Sequence, residues 1–402
     1  MLSVHEAIRI ICEQTPTLPA EKIPLTEAHG RVLAEDIIAD TDLPPFDRAL
    51  MDGYAVRAAD TQNAPVRLRI VGEAAAGSGW RGTLDAGEAV RIMTGAPVPA
   101  GADSVQQIER TREGENGETI EIERATSPAQ FIASRASEIT SGSIVLRRGE
   151  TTNAAMTAAL ASFGYANVSV GARPRATILA TGSELVPVEE TPGADKIRDS
   201  NSPSLAAYAE LAGARVRRLP FATDDPALLQ KKIEESLQHT DVLVLSGGVS
   251  MGAYDFTKKA LREIGAEIFF EQVSLRPGKP TVFARLGRTL IFGLPGNPVS
   301  VSVTFNLFAR TALRRMQGAN DPMLAEERAV LAHEVKGAVE RTSYLPAQLR
   351  TDDEGRLLAE PLRWGGSSDL TAFARTTALI IVPQDVKTLA EKTVVRIVRL
   401  PG

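Results

Sequence analysis

A single cysteine, Cys12, in 402 residues excludes an intrachain disulfide and any metal site built from several thiolates. Its place on the helical stripe of Val4, Ala7, Ile8 and Ile11 gives it the role of a small buried hydrophobe. Only four histidines are present, and no Ser-His-Asp or Cys-His pattern stands out, so a side-chain nucleophile of those types is not expected. No apolar run approaches the roughly 20 residues needed to span a bilayer. The opening MLSVHEAIRIICEQ lacks the basic region and small-residue cleavage site of a signal peptide, so the cytoplasm is the expected compartment and no membrane contact is expected. A net charge of −5 argues against broad nucleic-acid binding, so an anionic ligand must be met by local cations. Repeats and low-complexity tracts are absent from the sequence.

The chain is too long for one core. Residues 1–172 read as an N-terminal region: a capping-box helix from Ser3, a proline-broken stretch, and an inserted β-domain at about 50–145 with short alternating runs between glycine turns. Residues 173–320 alternate strands (176–180, 214–219, 241–246, 266–271, 289–292) with helices (202–212, 226–238, 256–264, 298–316). That alternation predicts a doubly wound, mostly parallel sheet, whose ligands lie beyond the carboxyl ends of the strands. Residues 325–402 show short β-runs fitting a small barrel or sandwich, with a helix at 370–376. The fold class is therefore α/β and multidomain.

The central domain carries three rigid turns. SGGVSMGAYD (246–255) follows an apolar strand and leads into a helix, the arrangement that opens bare N–H groups and a helix N-terminus to an anion. RPGKP (276–280) fixes Arg276 and Lys279 between prolines and a glycine, and GLPGNPVS (293–300) turns into the last helix. Together they suggest a pocket for a phosphorylated ligand.

These motifs, with MDGYAVR (51–57), TGAPVPAGAD (94–103), ATGSEL (180–185) and IRDSN (197–201) in this order, resemble the molybdopterin molybdenumtransferases, the bacterial MoeA family related to the E domain of gephyrin. The resemblance implies a substrate pair of adenylylated molybdopterin and molybdate, with AMP released. It implies an acidic cluster of Asp255, Glu184 and Asp224. Each also fits a local role: Asp255 as a helix cap, Glu184 opposing a helix dipole, and Asp224 before Pro226 as part of a helix start. Three carboxylates at strand ends need a counter-ion, and Mg²⁺ suits hard oxygen donors completed by phosphate.

Lys279 and Arg276 would contact phosphate or molybdate. Ser246, Gly247, Gly248 and Ser250 would donate to pterin or phosphate, and Pro295, Gly296, Asn297 and Pro298 would shape the facing turn. Arg198 and Ser200 would bind ligand or cap the next helix. Asp52 and Thr94 resemble loops that reach the partner's pocket, which implies a homodimer with a shared active site. The adenylyltransferase that makes the substrate and the apo-molybdoenzymes that receive the product are the further partners implied. Two departures from the family pattern stand out: Gln272 replaces a lysine, and 133–138 keeps Arg135 and Glu138 while losing a glycine and basic charge. The alternatives are a non-catalytic pterin carrier and the adenylyltransferase itself.

Overall fold

The computed structural model describes residues 1–223, 225–248 and 256–401. The chain divides into two units, one of residues 1–35, 148–154 and 167–402, the other of 36–147 and 155–166.

The first unit begins with the helix Val4–Gln14. Ser3 Oγ accepts from the Glu6 N–H at 3.2 Å while the Glu6 carboxylate accepts from the Ser3 N–H at 2.8 Å, so the capping box satisfies two backbone donors. Val4, Ala7 and Ile11 are buried, and Cys12 is half-buried with its thiol pKa pushed up by burial. Within the proline-broken stretch that follows, Leu25–Glu27 forms a single 3₁₀ turn. Ala20–Pro24 pairs with Asn167–Gly171.

The central sheet comprises β1 (Arg175–Ala180), β2 (Arg215–Arg218), β3 (Val242–Ser246), β4 (Glu267–Phe270), β5 (Val282–Leu286) and β6 (Thr289–Leu294), in the order β2-β1-β3-β6-β5-β4. The pairs among β2, β1, β3 and β6 are parallel. Strands β6, β5 and β4 continue antiparallel. Strand period decides which face each side chain joins. Ala176, Ile178, Val242, Val244, Leu290 and Phe292 point to a core shared with the helices Asn201–Leu211 and Pro298–Thr304. Leu179, Leu243, Leu245 and Ile291 point to the opposite core, under Pro226–Leu237 and Phe256–Glu263. Both faces are dry, so these strands read as continuous apolar runs. A fully buried leucine or isoleucine contributes about 1.5–3 kcal/mol here.

Strand β5 was not among the strands expected from sequence. It forms a hairpin with β6 through Gly287 (φ +59°), and converts an otherwise parallel sheet into a mixed one. The last helix is continuous but not uniform: Phe305–Ala309 is a π segment between Pro298–Thr304 and Arg310–Met316.

The C-terminal segment closes into a five-stranded barrel. Thr342–Thr351 pairs with both Leu357–Pro361 and Ala378–Val382, and Glu326–Leu331 and Val394–Arg399 complete the circuit. Its interior holds Leu331, Ala347, Ile380 and Ile397. The helix there is shorter than expected, Leu370–Phe373.

The second unit is built on a six-stranded sheet in the order Ser104–Gln107, Gly53–Val56, Glu88–Ile92, Val66–Ala74, Thr119–Ile122, Thr111–Glu113. The MDGYAVR stretch supplies one of its inner strands, with Tyr54, Ala55 and Val56 fully covered. Among the described residues no helix is long and apolar enough to cross a membrane.

Candidate functional site

Parallel register brings three strand ends level. Ala180 pairs with Ser246, and Ser246 with Leu294, so Thr181-Gly182, Gly247-Gly248 and Pro295-Gly296 leave the sheet side by side. Main-chain bonds continue past the strands: the Thr181 N–H donates to Ser246 O at 2.8 Å and the Gly247 N–H to Leu294 O at 3.0 Å. Gly247 has φ +96°, and a Cβ there would collide with the Thr181 carbonyl; only glycine lets the two chains lie this close. Gly182 (φ +152°) has the Glu184 carboxylate folded over it, with an oxygen 2.5 Å from where a Cβ would stand. A side chain at this position would displace that carboxylate. Glu184 is exposed and makes no ion pair among the described residues.

A residue not singled out in the sequence joins these ends. Asn201, first in its helix, donates from Nδ2 to Ser246 Oγ at 2.9 Å and to Gly296 O at 2.7 Å. It bridges the ends of β3 and β6 from a third loop. Ser246 is buried, and its hydroxyl accepts from Asn201, which leaves the Ser246 O–H free to donate onward. The IRDSN motif contained the residue, but only the fold supplies its partners. Its neighbours do local work. Asp199, rather than Ser200, caps the helix by accepting from the Ser202 N–H at 3.0 Å, and half-buried Ser200 makes no capping bond. Arg198 is exposed and donates from Nε to Glu190 O at 2.9 Å.

The two cations of the 276–280 turn are both half-buried. Lys279 O accepts from the Val273 and Thr281 N–H groups at 3.0 Å each, which fixes the turn. Neither Lys279 nor Arg276 has a carboxylate partner among the described residues. Arg276 pairs with Ser343 of the C-terminal barrel and faces a cleft there. In the 293–300 turn Pro295 is buried, Gly296 exposed, and Pro298 opens the helix at N1. Asn297 stands at the N-cap position, but its side chain makes no cap; Nδ2 donates to Ser367 Oγ at 2.8 Å and ties the turn to the C-terminal segment.

Asp224, Ser250 and Asp255 lie outside the described residues. Among the described residues no cluster of three or more histidine, cysteine or carboxylate side chains could hold a metal. Of the expected acidic cluster, the described member is Glu184, whose free carboxylate is a hard donor of the kind Mg²⁺ takes.

Asp52 and Thr94 belong to the second unit and touch one another. Asp52 Oδ1 accepts from the Thr94 N–H at 2.6 Å and from Thr94 Oγ1 at 2.8 Å. The backbone bond, then the hydroxyl, holds the Asp52 carboxyl below its ordinary pKa. Both side chains are exposed. The altered 133–138 stretch is committed within the same unit: Arg135 pairs with Asp42 at 2.6 Å and Glu138 with Arg48 at 2.9 Å.

Comparison with known proteins covers nearly the whole chain. Residues 2–164 match the MoeA N-terminal region (domain I and II), 177–315 a probable molybdopterin binding domain, and 328–400 the MoeA C-terminal region (domain IV). The molybdopterin molybdenumtransferase of Bacillus subtilis is 36% identical over 388 residues, 95% of this chain and 90% of that protein. The Staphylococcus aureus (strain MRSA252) protein of the same name is 33% identical over 386 residues, 95% of this chain and 91% of its own. The crystal structure of the molybdopterin biosynthesis MoeA protein from Pyrococcus horikosii covers 100% of both chains, with a TM-score of 0.81 and 31% identity. Glycine-lined parallel strand ends, a turn whose two cations have no carboxylate partner among the described residues, and this agreement from end to end lead to one assignment: the chain belongs to the molybdopterin molybdenumtransferase (MoeA) family.

Proposed function

We propose that this protein is a molybdenum transferase of molybdenum cofactor biosynthesis that inserts molybdate into adenylylated molybdopterin and releases AMP. The observation that carries the reading is the Asn201 bridge, which ties the ends of β3 and β6 into one cradle with N–H and O–H donors, within a family-typical chain. A pterin phosphate suits such a cradle, because small residues let its oxygens approach the backbone and Ser246 keeps a proton to give.

Lys279 supplies a compact charge and Arg276 a planar fork, the two forms of cation that offset charge on phosphate and on a tetrahedral oxyanion. As a water or molybdate oxygen forms a new bond to phosphorus and the phosphoanhydride P–O bond breaks to release AMP, negative charge grows on the departing oxygen, and fixed cations offset it without reorganisation. Glu184, with Asp255 and Asp224, would hold Mg²⁺. Bound there, the ion would polarise the phosphoanhydride. The protein works as a homodimer in the cytoplasm, with Asp52 and Thr94 serving the partner's pocket; the exposed, pre-set Asp52–Thr94 pair supports that role. It receives its substrate from the adenylyltransferase and delivers cofactor to apo-molybdoenzymes.

The test is a defined mixture of protein, adenylylated molybdopterin, molybdate and Mg²⁺, with AMP release and activation of an apo-molybdoenzyme followed. Both products are expected, each lost without molybdate and each lost on chelation of Mg²⁺. Binding of the adenylylated pterin without either product would replace this reading with the carrier.

A further inference from the structure

Arg276 lines a cleft of about 540 Å³ that residues of the C-terminal barrel wall. The cleft is a size that takes a small ligand. Its charge is one-sided: Arg276, Lys336 and Arg363 line it, none paired with a carboxylate among the described residues, against a single acid, Glu334. His333 also lines it, but faces Glu391 at 3.8 Å. Uncommitted cations around a concavity repel one another, and an arrangement of this kind is stabilised by an anion. The remaining wall is apolar and aromatic. Trp364 is half-buried, packs against both the central and the barrel cores, and lines the cleft with Leu345 and Pro361.

We infer that this cleft binds a nucleoside monophosphate, the phosphate held by Arg276, Lys336 and Arg363 and the base against the Trp364 wall. The choice of ligand rests on the proposed release of AMP; the cationic and aromatic walls are independent of it. A planar guanidinium grips phosphate oxygens in pairs, an ammonium adds a point charge, and an indole offers a flat surface for a base. Arg276 then links two regions of one chain. It leaves the turn that carries Lys279 and enters the barrel through its pairing with Ser343. The leaving nucleotide has a place to rest beside the turn that carries Lys279.

Calorimetric titration of the full chain tests this, using 5′-AMP, adenosine and inorganic phosphate as separate probes. AMP should bind at one site per chain, with adenosine and phosphate each at least about tenfold weaker. The double variant Lys336→Ala/Arg363→Ala removes two exposed side chains, so thermal unfolding should be unchanged while AMP affinity falls by at least about tenfold. Equal AMP affinity in wild type and double variant overturns the site, as does equal affinity for adenosine and AMP, or no AMP binding at all. Failure of the transferase reading looks different: adenylylated molybdopterin would go uncleaved while AMP still bound in a Lys336- and Arg363-dependent way.

Discussion

The Asn201 amide donates to Ser246 Oγ at 2.9 Å, joining a helix start to a strand end 45 residues later in the chain. The same nitrogen reaches Gly296 O at 2.7 Å, across 95 residues. Two strand ends are thereby held in fixed relation by one side chain that is itself not a strand residue. Asn201→Ala should cost about 1–3 kcal/mol, two hydrogen bonds with the acceptors left behind. Chemical denaturation reads that loss. Asn201→Asp should cost at least as much, since a carboxylate cannot donate to either oxygen, and should raise KM for the pterin more than it lowers kcat. A variant with unchanged stability and KM would remove the bridge from the account.

Gly247 and Gly287 make a matched pair. Both have positive φ, +96° and +59°, but a Cβ at Gly247 collides with Thr181 whereas one at Gly287 meets nothing within 4 Å. Gly287→Ala should cost about 1 kcal/mol, the backbone term alone. Gly247→Ala should cost about 3 kcal/mol, because overpacking adds to it. Thermal unfolding of the two variants side by side checks the difference.

The start of the sheet carries a pH-dependent contribution. Burial raises the Asp241 pKa, but Arg175 outweighs it through side-chain and backbone hydrogen bonds and leaves the carboxyl below its ordinary value. The pair is bidentate, at 2.8 and 3.1 Å. A depressed carboxylate contributes stability that is fully present above the unfolded pKa and is lost as pH falls through the folded one. Asp241→Asn should therefore be less stable than wild type by about 1 kcal/mol at pH 7, discounted for the half-exposed arginine. The gap should close in acid, below both values. Denaturant midpoints measured from pH 7 downwards give the comparison.

Much of this was legible in the chain. The turns announced themselves because glycine and proline are needed where backbones approach or reverse, and the inner strands because burial on both faces leaves unbroken runs such as Val242–Ser246. The capping box at Ser3 was readable for the same reason: its partners are three residues apart. Strand β5 was not readable. It is short, closely follows the 276–280 turn, and carries, just before its last residue, Arg285, whose guanidinium pairs with Glu267 at 2.6 Å and lies over Phe269. A charged residue in that position reads as loop until the neighbouring strand is known. Asn201 escaped for a related reason. Its significance lies in acceptors far along the chain, which no local pattern reveals. Asn297, expected only to shape its turn, also tethers that turn to Ser367, a partner 70 residues along the chain.

Asp52 and Lys279 test the shared active site. In the proposed homodimer each pocket draws Lys279 from one subunit and Asp52 from the other. Asp52→Ala and Lys279→Ala should each be inactive as pure variants. Coexpressed, they should recover about a quarter of wild-type activity, since half of the dimers are mixed and each mixed dimer has one intact pocket. Recovery of none would place both residues in the same subunit's pocket or outside it.

The central claim is tested most directly by AMP release from adenylylated molybdopterin in wild type and Asp255→Ala, each with and without molybdate. Wild type should release AMP and form active cofactor when molybdate is present. Asp255→Ala should release none while unfolding at nearly the wild-type temperature. Cleavage retained in that variant, or absent from wild type, would contradict the transferase reading.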